Sequence, residues 1–337
     1  MFFENLQNKL SKITNTSLTE VIYKNILINS KISKKHLSIK NFRGKNFNNS
    51  KVALIVAGGP SLRKNDFRKS IIKFREKFYI ICADGTLYYL LEKKIIPDLV
   101  VTLDPHKKRI VRWFGDKKLS KEDIAKDDYY RRQDIDLKFR NEVITNKKIL
   151  KYTNKYGKIL NIAPCTSSSK SVVNRLVEMK SKLYWWNPFL DNPQKKNSLT
   201  KKIYKINKLP IINSIGNVGS ACWVMAESVF NFRKIALIGM DNGYYIDTPI
   251  KATQYYDILT KTFGKKNIKK FYKKIYNKKL KKYFYTDHVY FWYKSIFLDA
   301  VKSSTSRTFN CTEGGIIFEK PIITIKFKDF CKTELTK

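Results

Sequence analysis

The sequence is poor in the residues that most often build metal sites and membrane spans. Its 337 residues include three histidines and five cysteines, and no two cysteines have Cys-x-x-Cys spacing. A structural zinc site is therefore not expected, and the cysteines are expected to be reduced thiols. No run of about 18 apolar residues is present, so no membrane-spanning helix is predicted. The N-terminus begins Met-Phe-Phe-Glu-Asn, with polar residues where a signal peptide needs an apolar core, so we expect a cytoplasmic protein.

Acidic residues are also scarce. The chain has 28 aspartates and glutamates against 68 lysines and arginines, which gives a formal net charge of +40. This excess favours anionic partners, among them nucleic acid, anionic substrates and anionic lipid. The abundant Lys, Asn, Ile, Phe and Tyr all have AT-rich codons, and no recognition helix, RNP motif or zinc finger directs the charge to nucleic acid. Nucleic acid is the disfavoured partner, and peripheral contact with an anionic membrane surface stays open.

The chain lacks the Lys-Ser/Thr of a P-loop and the third glycine of the dinucleotide fingerprint, yet residues 53–62 contain a related pattern. An apolar run there ends in Gly58, Gly59, Pro60 and Ser61. The glycines allow close approach of a ligand to the backbone, Pro60 stiffens the turn, and Ser61 is a candidate helix cap. The pattern predicts a strand followed by a turn that binds the phosphates of a nucleotide, although such glycine pairs also occur in ordinary tight turns.

Strands and helices are predicted to alternate from residue 51 onward, which is typical of an α/β fold with a parallel sheet. Asp84 and Asp104 each follow a predicted strand, at the edge of the sheet where ligands bind, although an aspartate there is often only a helix cap. The predicted elements are strand 51–57, helix 62–76, strand 78–83, helix 85–93 and strand 98–103.

The composition of the chain divides it into three segments, the second of which contains two distinct stretches. We predict a helical N-terminal extension at 1–50, a Rossmann-type domain at 51–320 and a C-terminal tail at 321–337. Within the domain, 107–157 is crowded with charge and is predicted to be an exposed insertion, and 250–305 is predicted to be helical and basic.

Two further stretches of the domain give more detailed predictions. Residues 187–202 are expected to form a polar loop. Apolar residues spaced three and four apart across 261–283 predict an amphipathic helix with lysines on its other face. Such a helix packs its stripe into the core, lines a groove for an acidic substrate or lies on an anionic membrane.

Three more blocks carry candidate site residues. Residues 211–221 form a short apolar strand followed by a turn with Gly216, Asn217 and Gly219, and a second apolar strand ends at Asp241. Residues 309–316 repeat the pattern of strand, acid and double glycine with Glu313, Gly314 and Gly315. His288 follows Asp287, which is positioned to orient it, and the ordinary pKa of a histidine suits a general base.

Four of these blocks, taken in order, resemble the MptE-like superfamily and, within it, the Maf motility-associated-factor glycosyltransferases. The resemblance implies a Rossmann-like fold similar to that of small bacterial sialyltransferases, with a mostly parallel sheet flanked by helices and helical additions at both ends. It also implies a nucleotide-sugar co-substrate, of the CMP-nonulosonate type, and a protein or surface-glycan acceptor. The matching blocks are residues 57–62, 96–105, 216–241 and 310–315.

The resemblance assigns tasks to these residues. The turn of Gly58, Gly59, Pro60 and Ser61 would contact phosphate or ribose, and the helix that starts near Asn217 and Gly219 would approach the nucleotide from the other side. Asp84, Gly216, Gly314 and Gly315 are further candidates for the nucleotide site. The chemistry of sugar transfer, rather than the resemblance, makes His288, Asp241 and Asp104 the catalytic candidates: His288 and Asp241 compete as general base, and His106 beside Asp104 is a candidate donor to the leaving phosphate. Glu313 either binds a sugar hydroxyl or caps a turn.

Two alternatives remain. The superfamily also contains archaeal 6-hydroxymethyl-dihydropterin diphosphokinases, in which the resemblance implies that a pair of aspartates after the third strand holds Mg²⁺ for transfer of pyrophosphate from ATP. Residues 102–105 contain a single aspartate, Asp104, so glycosyl transfer is preferred, and a metal is expected only in the diphosphokinase alternative. The other alternative is a module that binds a nucleotide or glycan without catalysis.

Overall fold

The structure is a computed structural model that describes residues 19–44, 52–126 and 142–336. Its strands, numbered along the chain, are β1 Leu37–Ser38, β2 Val52–Val56, β3 Phe78–Ala83, β4 Leu99–Thr102, β5 Asn161–Pro164, β6 Lys182–Trp185, β7 Asn187–Pro188, β8 Ile211–Ile212, β9 Lys234–Ile238, β10 Tyr244–Tyr245, β11 Tyr272–Asn277, β12 Lys282–Asp287, β13 Arg307–Asn310 and β14 Ile323–Thr324.

The helices are numbered in the same way, and α1 runs through residues 19–33. The others are α2 Ser61–Lys64, α3 Arg68–Lys73, α4 Leu87–Glu92, α5 Lys121–Lys126, α6 Glu142–Tyr156, α7 Lys170–Glu178, α8 Leu199–Asn207, α9 Val218–Val224, α10 Tyr256–Phe263, α11 His288–Lys302 and α12 Phe327–Glu334. A π-helical turn, Met225–Val229, extends α9. None of the helices in the described ranges is both long enough and apolar enough to cross a bilayer.

Nine of the described strands form one sheet in the order β1-β6-β5-β4-β3-β2-β9-β13-β14. All of its pairings are parallel. The five residues of β2 are all buried, because helices cover both faces of the sheet. Leu54 packs into the core on one face with α3 and α4, and Ile55 packs into the core on the other with α9. The α/β fold with a parallel sheet is confirmed.

The side of the sheet on which the chain adds new strands changes at β2. From β2 the chain adds β3, β4, β5 and β6 on one side, and it then returns to place β9, β13 and β14 on the other. In open α/β sheets, ligands bind at such a switch point, in the crevice outside the carboxyl ends of the strands. The loops that follow β2, β3, β4 and β9 are therefore brought to one edge.

The prediction of an amphipathic helix at 261–283 is wrong, and so is the prediction that 250–305 is helical throughout. Residues 272–287 form the antiparallel pair β11–β12, and β10 extends it to a sheet of three strands. The apolar and aromatic residues fit a strand as well as a helix, because Ile275 pairs with Phe284 on one face and Tyr276 with Tyr283 on the other. The pairing with β10, which lies far away in sequence, decides between the two periods.

Residues 107–157 are not entirely an exposed insertion. A 3-10 turn at Ile110–Phe114 is buried, and Phe114 belongs to the main core. Helix α6 packs against α4, with Tyr152 edge-on to Tyr88. Residues 127–141 lie outside the described residues. The stretch predicted as a polar loop at 187–202 contains β7 and the start of α8, which Ser198 caps by accepting a hydrogen bond from the Lys201 N–H.

The predicted helix 62–76 is two short helices. The chain leaves α2 at Asn65, whose backbone is extended, and enters α3 three residues later. Asn65 has both its backbone N–H and its side-chain amide hydrogen-bonded to the Ser61 carbonyl oxygen. The backbone bond is the last of the helix, and the extended conformation of Asn65 ends α2 before Phe67 inserts into the core.

Both ends of the described chain are packed onto the sheet. In α1, the Asn29 amide donates to the carbonyl oxygens of Thr166 and Ser168, and the strand that follows, β1, pairs with β6 at the edge of the sheet. At the other end, Phe327 and Phe330 of α12 are buried in the main core. The described parts of the predicted extension and tail therefore complete the same fold.

Candidate active site at the switch point of the sheet

A cleft of about 440 Å³ lies at the carboxyl ends of β2, β3, β4 and β9. It gathers ten of the residues predicted from the sequence: Gly58, Gly59, Pro60, Asp84, Asp104, His106, Gly216, Asn217, Gly219 and Asp241. Five other predicted residues do not line it: Ser61, His288, Glu313, Gly314 and Gly315. A ligand in the cleft can reach the residues of the first group and does not contact those of the second.

The two glycines after β2 have different surroundings. The Gly59 N–H donates to the Gly239 carbonyl oxygen at 2.7 Å, and a Cβ on Gly59 would lie 2.1 Å from Oδ2 of Asp241. Glycine is therefore required at 59 because two turns touch there. A Cβ on Gly58 would meet only the Thr86 methyl group, at 3.6 Å, so residue 58 faces the open cleft.

Ser61 lies beneath the turn rather than at its surface. It is fully buried, and its hydroxyl donates to Oδ2 of Asp241 at 2.6 Å while its backbone N–H donates to Oδ1 at 3.2 Å. The prediction that Ser61 caps the next helix with its hydroxyl is wrong, because Pro60 is the N-cap and makes no side-chain cap bond. Ser61 instead fastens the turn after β2 to the loop after β9.

The third glycine pair packs against the same aspartate. A Cβ on Gly315 would lie 2.1 Å from the carbonyl oxygen of Asp241, and one on Gly314 would lie 2.7 Å from Cβ of Ser61. Glu313 accepts a hydrogen bond from the backbone N–H of Phe327 at 3.0 Å, so its carboxylate is turned toward the start of α12. These residues support the floor of the cleft from below.

Three carboxylates reach the cleft, and burial raises the pKa of each. The pKa of Asp241 rises to about 7, and so does that of Asp84. Both oxygens of Asp84 accept hydrogen bonds, from the Thr102 hydroxyl and from the Gly85 N–H, each at 2.7 Å. The negative charge of Asp104 also raises the pKa of Asp84.

Asp104 is the carboxylate with the fewest hydrogen bonds. Among the described residues it accepts one, from the backbone N–H of His106 to Oδ1 at 2.8 Å. Burial raises its pKa, and the nearby positive charge of Arg109 acts in the opposite direction. Asp104 is thus a partly buried carboxylate that can still accept a proton from a bound molecule.

His106, a predicted candidate, lies on this side of the cleft together with Arg109 and Trp113, which the sequence analysis placed in an exposed insertion. Arg109 and Trp113 both line the cleft, and the Trp113 ring lies 3.5 Å from where a Cβ on Gly85 would be. Nδ1 of His106 accepts from the N–H groups of Lys108 and Arg109, which leaves Nε2 to carry the proton of the neutral ring. Arg109 and Trp113 could have been predicted from their position in the loop that follows β4 and Asp104, since such loops lie at the ligand-binding edge.

The second glycine turn is strained, and it leads into α9. Gly216 has φ +87°, and a Cβ there would lie 2.3 Å from the Tyr293 ring. Ile215 has φ +49°, which is rare for a β-branched residue. Asn217 caps α9 by accepting from the Ser220 N–H, and Gly219 lets the helix approach Ala57, since a Cβ there would lie 2.9 Å from Cβ of Ala57.

An aromatic wall lies opposite the carboxylates. Tyr244, Tyr255, Tyr290 and Tyr293 line the cleft, with Tyr290 close to each of the other three rings at centroid distances of 5.5 to 6.3 Å. Gln254 joins two of these tyrosines. Its side-chain oxygen accepts from the Tyr290 hydroxyl at 2.6 Å, and its backbone N–H donates to the Tyr244 hydroxyl at 3.1 Å. Aromatic faces and a few convergent polar groups suit a nucleoside or sugar.

His288 stands apart from the cleft. Its ring packs edge-on against Phe271 at 5.8 Å, neither ring nitrogen has a hydrogen-bond partner among the described residues, and burial lowers its pKa to about 4. The idea that Asp287 orients His288 is wrong. Asp287 caps α11 by accepting from the N–H groups of Val289 and Tyr290, and it accepts from the Tyr244 hydroxyl as well.

Comparison with known proteins shows the family of the chain and a similar fold among solved structures. A family model described as 6-hydroxymethylpterin diphosphokinase MptE-like matches residues 24–247, which include all three carboxylates of the cleft and end before His288. No curated protein matches the chain.

Among solved structures, the Maf glycosyltransferase from Magnetospirillum magneticum AMB-1 is similar, with a TM-score of 0.50 and 12% sequence identity. The match covers 82% of this chain and 33% of that chain, so this chain spans a third of the length of the neighbour. At this identity the likeness concerns the fold.

Proposed function

The chain belongs to the MptE-like family, and from this premise we propose that it is a glycosyltransferase that takes a sugar from a nucleotide donor. The observation that carries the proposal is the content of one cleft: two glycine turns, an arginine, an aromatic wall and a partly buried aspartate, all at the switch point of the sheet. The similarity of the fold to a Maf glycosyltransferase supports this choice among the activities of the family.

The donor's phosphate would lie between the turn at 58–60 and Arg109. The Gly59 N–H is bonded to the Gly239 carbonyl oxygen and Pro60 has no N–H, so the backbone donor of this turn is the Gly58 N–H. This N–H and the Arg109 guanidinium would stabilise the negative charge that grows on the phosphate as the bond to the sugar breaks. His106, with its proton on Nε2, is a second donor to the same oxygens. The rings of Trp113 and Tyr293 offer flat apolar faces to the nucleoside and the sugar.

Asp104 is the general base in this proposal. It would take the proton of the acceptor hydroxyl as that oxygen bonds to the anomeric carbon, while the bond between that carbon and the phosphate oxygen breaks and the nucleotide leaves. This choice replaces the two bases expected from the sequence. Asp104 is preferred to Asp241 because both oxygens of Asp241 accept hydrogen bonds from Ser61. It is preferred to His288 because His288 does not line the cleft. The donor of the CMP-nonulosonate type, the protein or glycan acceptor and action in the cytoplasm belong to the proposal as well.

Binding and turnover test the proposal separately. Thermal melting is measured with CMP-, UDP- and GDP-linked sugars, since a ligand that binds only the folded state raises the Tm. Release of the nucleotide is then measured for the donor that binds. In Asp104→Asn, the donor should raise the Tm as before while turnover falls by about 10²-fold or more.

Arg109→Gln should weaken binding of the donor, whereas the control Lys107→Gln, at an exposed neighbouring position, should leave it unchanged. A donor that binds without being consumed by the wild-type protein would instead support a binding module without catalysis. No Tm shift with any nucleotide sugar would refute the proposal.

A second candidate is transfer of pyrophosphate from ATP, and the proximity of Asp84 and Asp104 favours it. The sequence has one aspartate after β4, but the fold brings Asp84 from β3 to the same cleft. In the described part of the chain, no three or more metal-binding side chains are grouped, yet Mg²⁺ is often held by two carboxylates together with substrate phosphates and water. These two aspartates would hold it. A Tm shift with ATP and Mg²⁺ but with no nucleotide sugar would select this candidate.

A further inference from the structure

The most basic part of the chain begins at the wall of the cleft, where Ile258 lines it, but none of its lysines lines the cleft. Residues 258–286 contain eleven lysines and no aspartate or glutamate. In the fold they run from α10 through the hairpin of β11 and β12. A surface with charge of one sign over this length attracts a partner of the opposite sign. The lysines are Lys261, Lys265, Lys266, Lys269, Lys270, Lys273, Lys274, Lys278, Lys279, Lys281 and Lys282.

The tip of this hairpin combines lysines with apolar side chains. Leu280 is at the turn between β11 and β12, with two lysines on each side of it in the sequence. Tyr276 and Tyr283 face each other across the strands with ring centroids 4.9 Å apart, and they are 47% and 50% exposed. The Lys274 ammonium lies 4.3 Å from the centre of the Tyr283 ring. We call residues 276–283 the hairpin tip.

The hairpin tip is held in place by Asn277, which is buried. Its side-chain oxygen accepts from the N–H groups of Lys279 and Leu280, each at 3.1 Å, and its amide donates to the Gly315 carbonyl oxygen at 2.9 Å. Gly315 in turn packs against Asp241 at the floor of the cleft. The tip is therefore fixed to the same structure that forms the cleft.

We propose that the hairpin tip docks onto the surface of an anionic lipid bilayer. Lysines near such a surface are attracted to acidic headgroups, and tyrosine and leucine side chains enter the boundary between headgroups and acyl chains. Charge alone would suit any polyanion. Leu280 and the exposed pair Tyr276 and Tyr283 favour the bilayer, because apolar side chains lower the free energy of binding only when their surface is removed from water. This inference does not depend on the proposed function.

The test is flotation of the full chain with vesicles of phosphatidylcholine that contain about 30% phosphatidylglycerol, compared with pure phosphatidylcholine, at moderate salt. The net charge of +40 makes a matched control necessary. The tip variant carries four substitutions: Lys278→Gln, Lys279→Gln, Lys281→Gln and Lys282→Gln. The control removes the same charge from four exposed lysines elsewhere: Lys195→Gln, Lys196→Gln, Lys201→Gln and Lys202→Gln.

The wild-type protein should float with the anionic vesicles only. The tip variant should lose at least tenfold in its partition coefficient, and the control should stay within about twofold of wild type. Equal losses in the two variants, or equal binding of wild type to both kinds of vesicle, would overturn the proposal.

A second variant separates a bilayer from other polyanions. Tyr276→Ser with Leu280→Ser keeps every lysine but removes apolar area from the tip, so vesicle binding should fall while binding to a single-stranded oligonucleotide stays unchanged. Unchanged vesicle binding in this variant would overturn docking on a bilayer in favour of a general polyanion surface. Donor-dependent Tm shifts, measured on the same variants, should equal those of wild type, which keeps this result separate from the fate of the proposed transferase.

Discussion

Asp241→Asn is predicted to change the way the stability of the protein depends on pH. The carboxylate of Asp241 is 2% exposed and accepts two hydrogen bonds from Ser61. Asparagine is nearly the same size, and its amide can still accept from the Ser61 N–H and can donate to the Ser61 hydroxyl. The substitution therefore keeps the packing and removes the charge from the floor of the cleft.

The magnitude follows from the pKa of Asp241, which burial raises from 3.8 to about 7. Between these two values the folded protein holds a proton that the unfolded chain has released, so the free energy of unfolding falls by about 1.4 kcal/mol for each pH unit. The stabilisation is fully present below pH 3.8 and is lost as the pH rises through about 7. Over the whole range the loss is roughly 4 kcal/mol.

The assay is urea unfolding of wild type and Asp241→Asn, followed by tryptophan fluorescence at several pH values from about 4 to about 8. The difference in free energy between the two proteins should move in favour of the variant by roughly 4 kcal/mol across this range. Because Asp84 and Asp287 titrate in both proteins, the difference isolates Asp241. Asp299→Asn, at an exposed carboxylate on α11, controls for the loss of a charge. A difference that stays constant with pH would refute the reasoning.

Three further predictions concern single side chains. Gly59→Ala should destabilise the protein by about 1–3 kcal/mol in urea unfolding, because its Cβ would lie 2.1 Å from Oδ2 of Asp241, whereas Gly58→Ala should have little effect; equal effects would contradict the contact. Phe327→Ala should cost about 3–5 kcal/mol, because the ring is buried in the main core; a cost below about 1 kcal/mol would mean that α12 is not docked. His288→Phe should leave turnover within about twofold of wild type and the Tm equal or higher, because neither ring nitrogen has a partner among the described residues. A loss of turnover of about 10²-fold would restore His288 as the general base.

The alternation of apolar strands with helices was enough to predict the sheet and the edge where the cleft lies. Strands β2, β3 and β4 are short and buried throughout, as parallel strands covered on both faces are, and a glycine or an aspartate follows each within two residues. Because parallel strands all point the same way, residues that follow them meet at one edge whatever the details of packing. The predicted position of Asp84 and Asp104 at this edge agrees with the structure, which places them with Gly58 and Asp241 around one cleft.

The roles within the cleft needed the tertiary structure. In the sequence, Ser61 and Asp241 are 180 residues apart, and nothing local shows that they bond to each other instead of to a ligand. Arg109 and Trp113 were assigned to an exposed insertion because their segment is rich in charge, although its apolar residues fill the core. His288 and Asp287 are neighbours in sequence, yet the helix that begins there turns their side chains to different partners.

The hairpin of β11 and β12 shows most plainly what a sequence leaves open. Its apolar residues fit the period of a helix and that of a strand, and the local pattern favoured the helix. The pairing of Tyr244 with Tyr285 joins segments about forty residues apart, and it decides in favour of the strand. Local periodicity determined the parallel sheet because each buried strand is specified by its own residues. Contacts between distant segments decided the hairpin, the buried Ser61–Asp241 pair and the walls of the cleft, because those free energies exist only once the chain has folded.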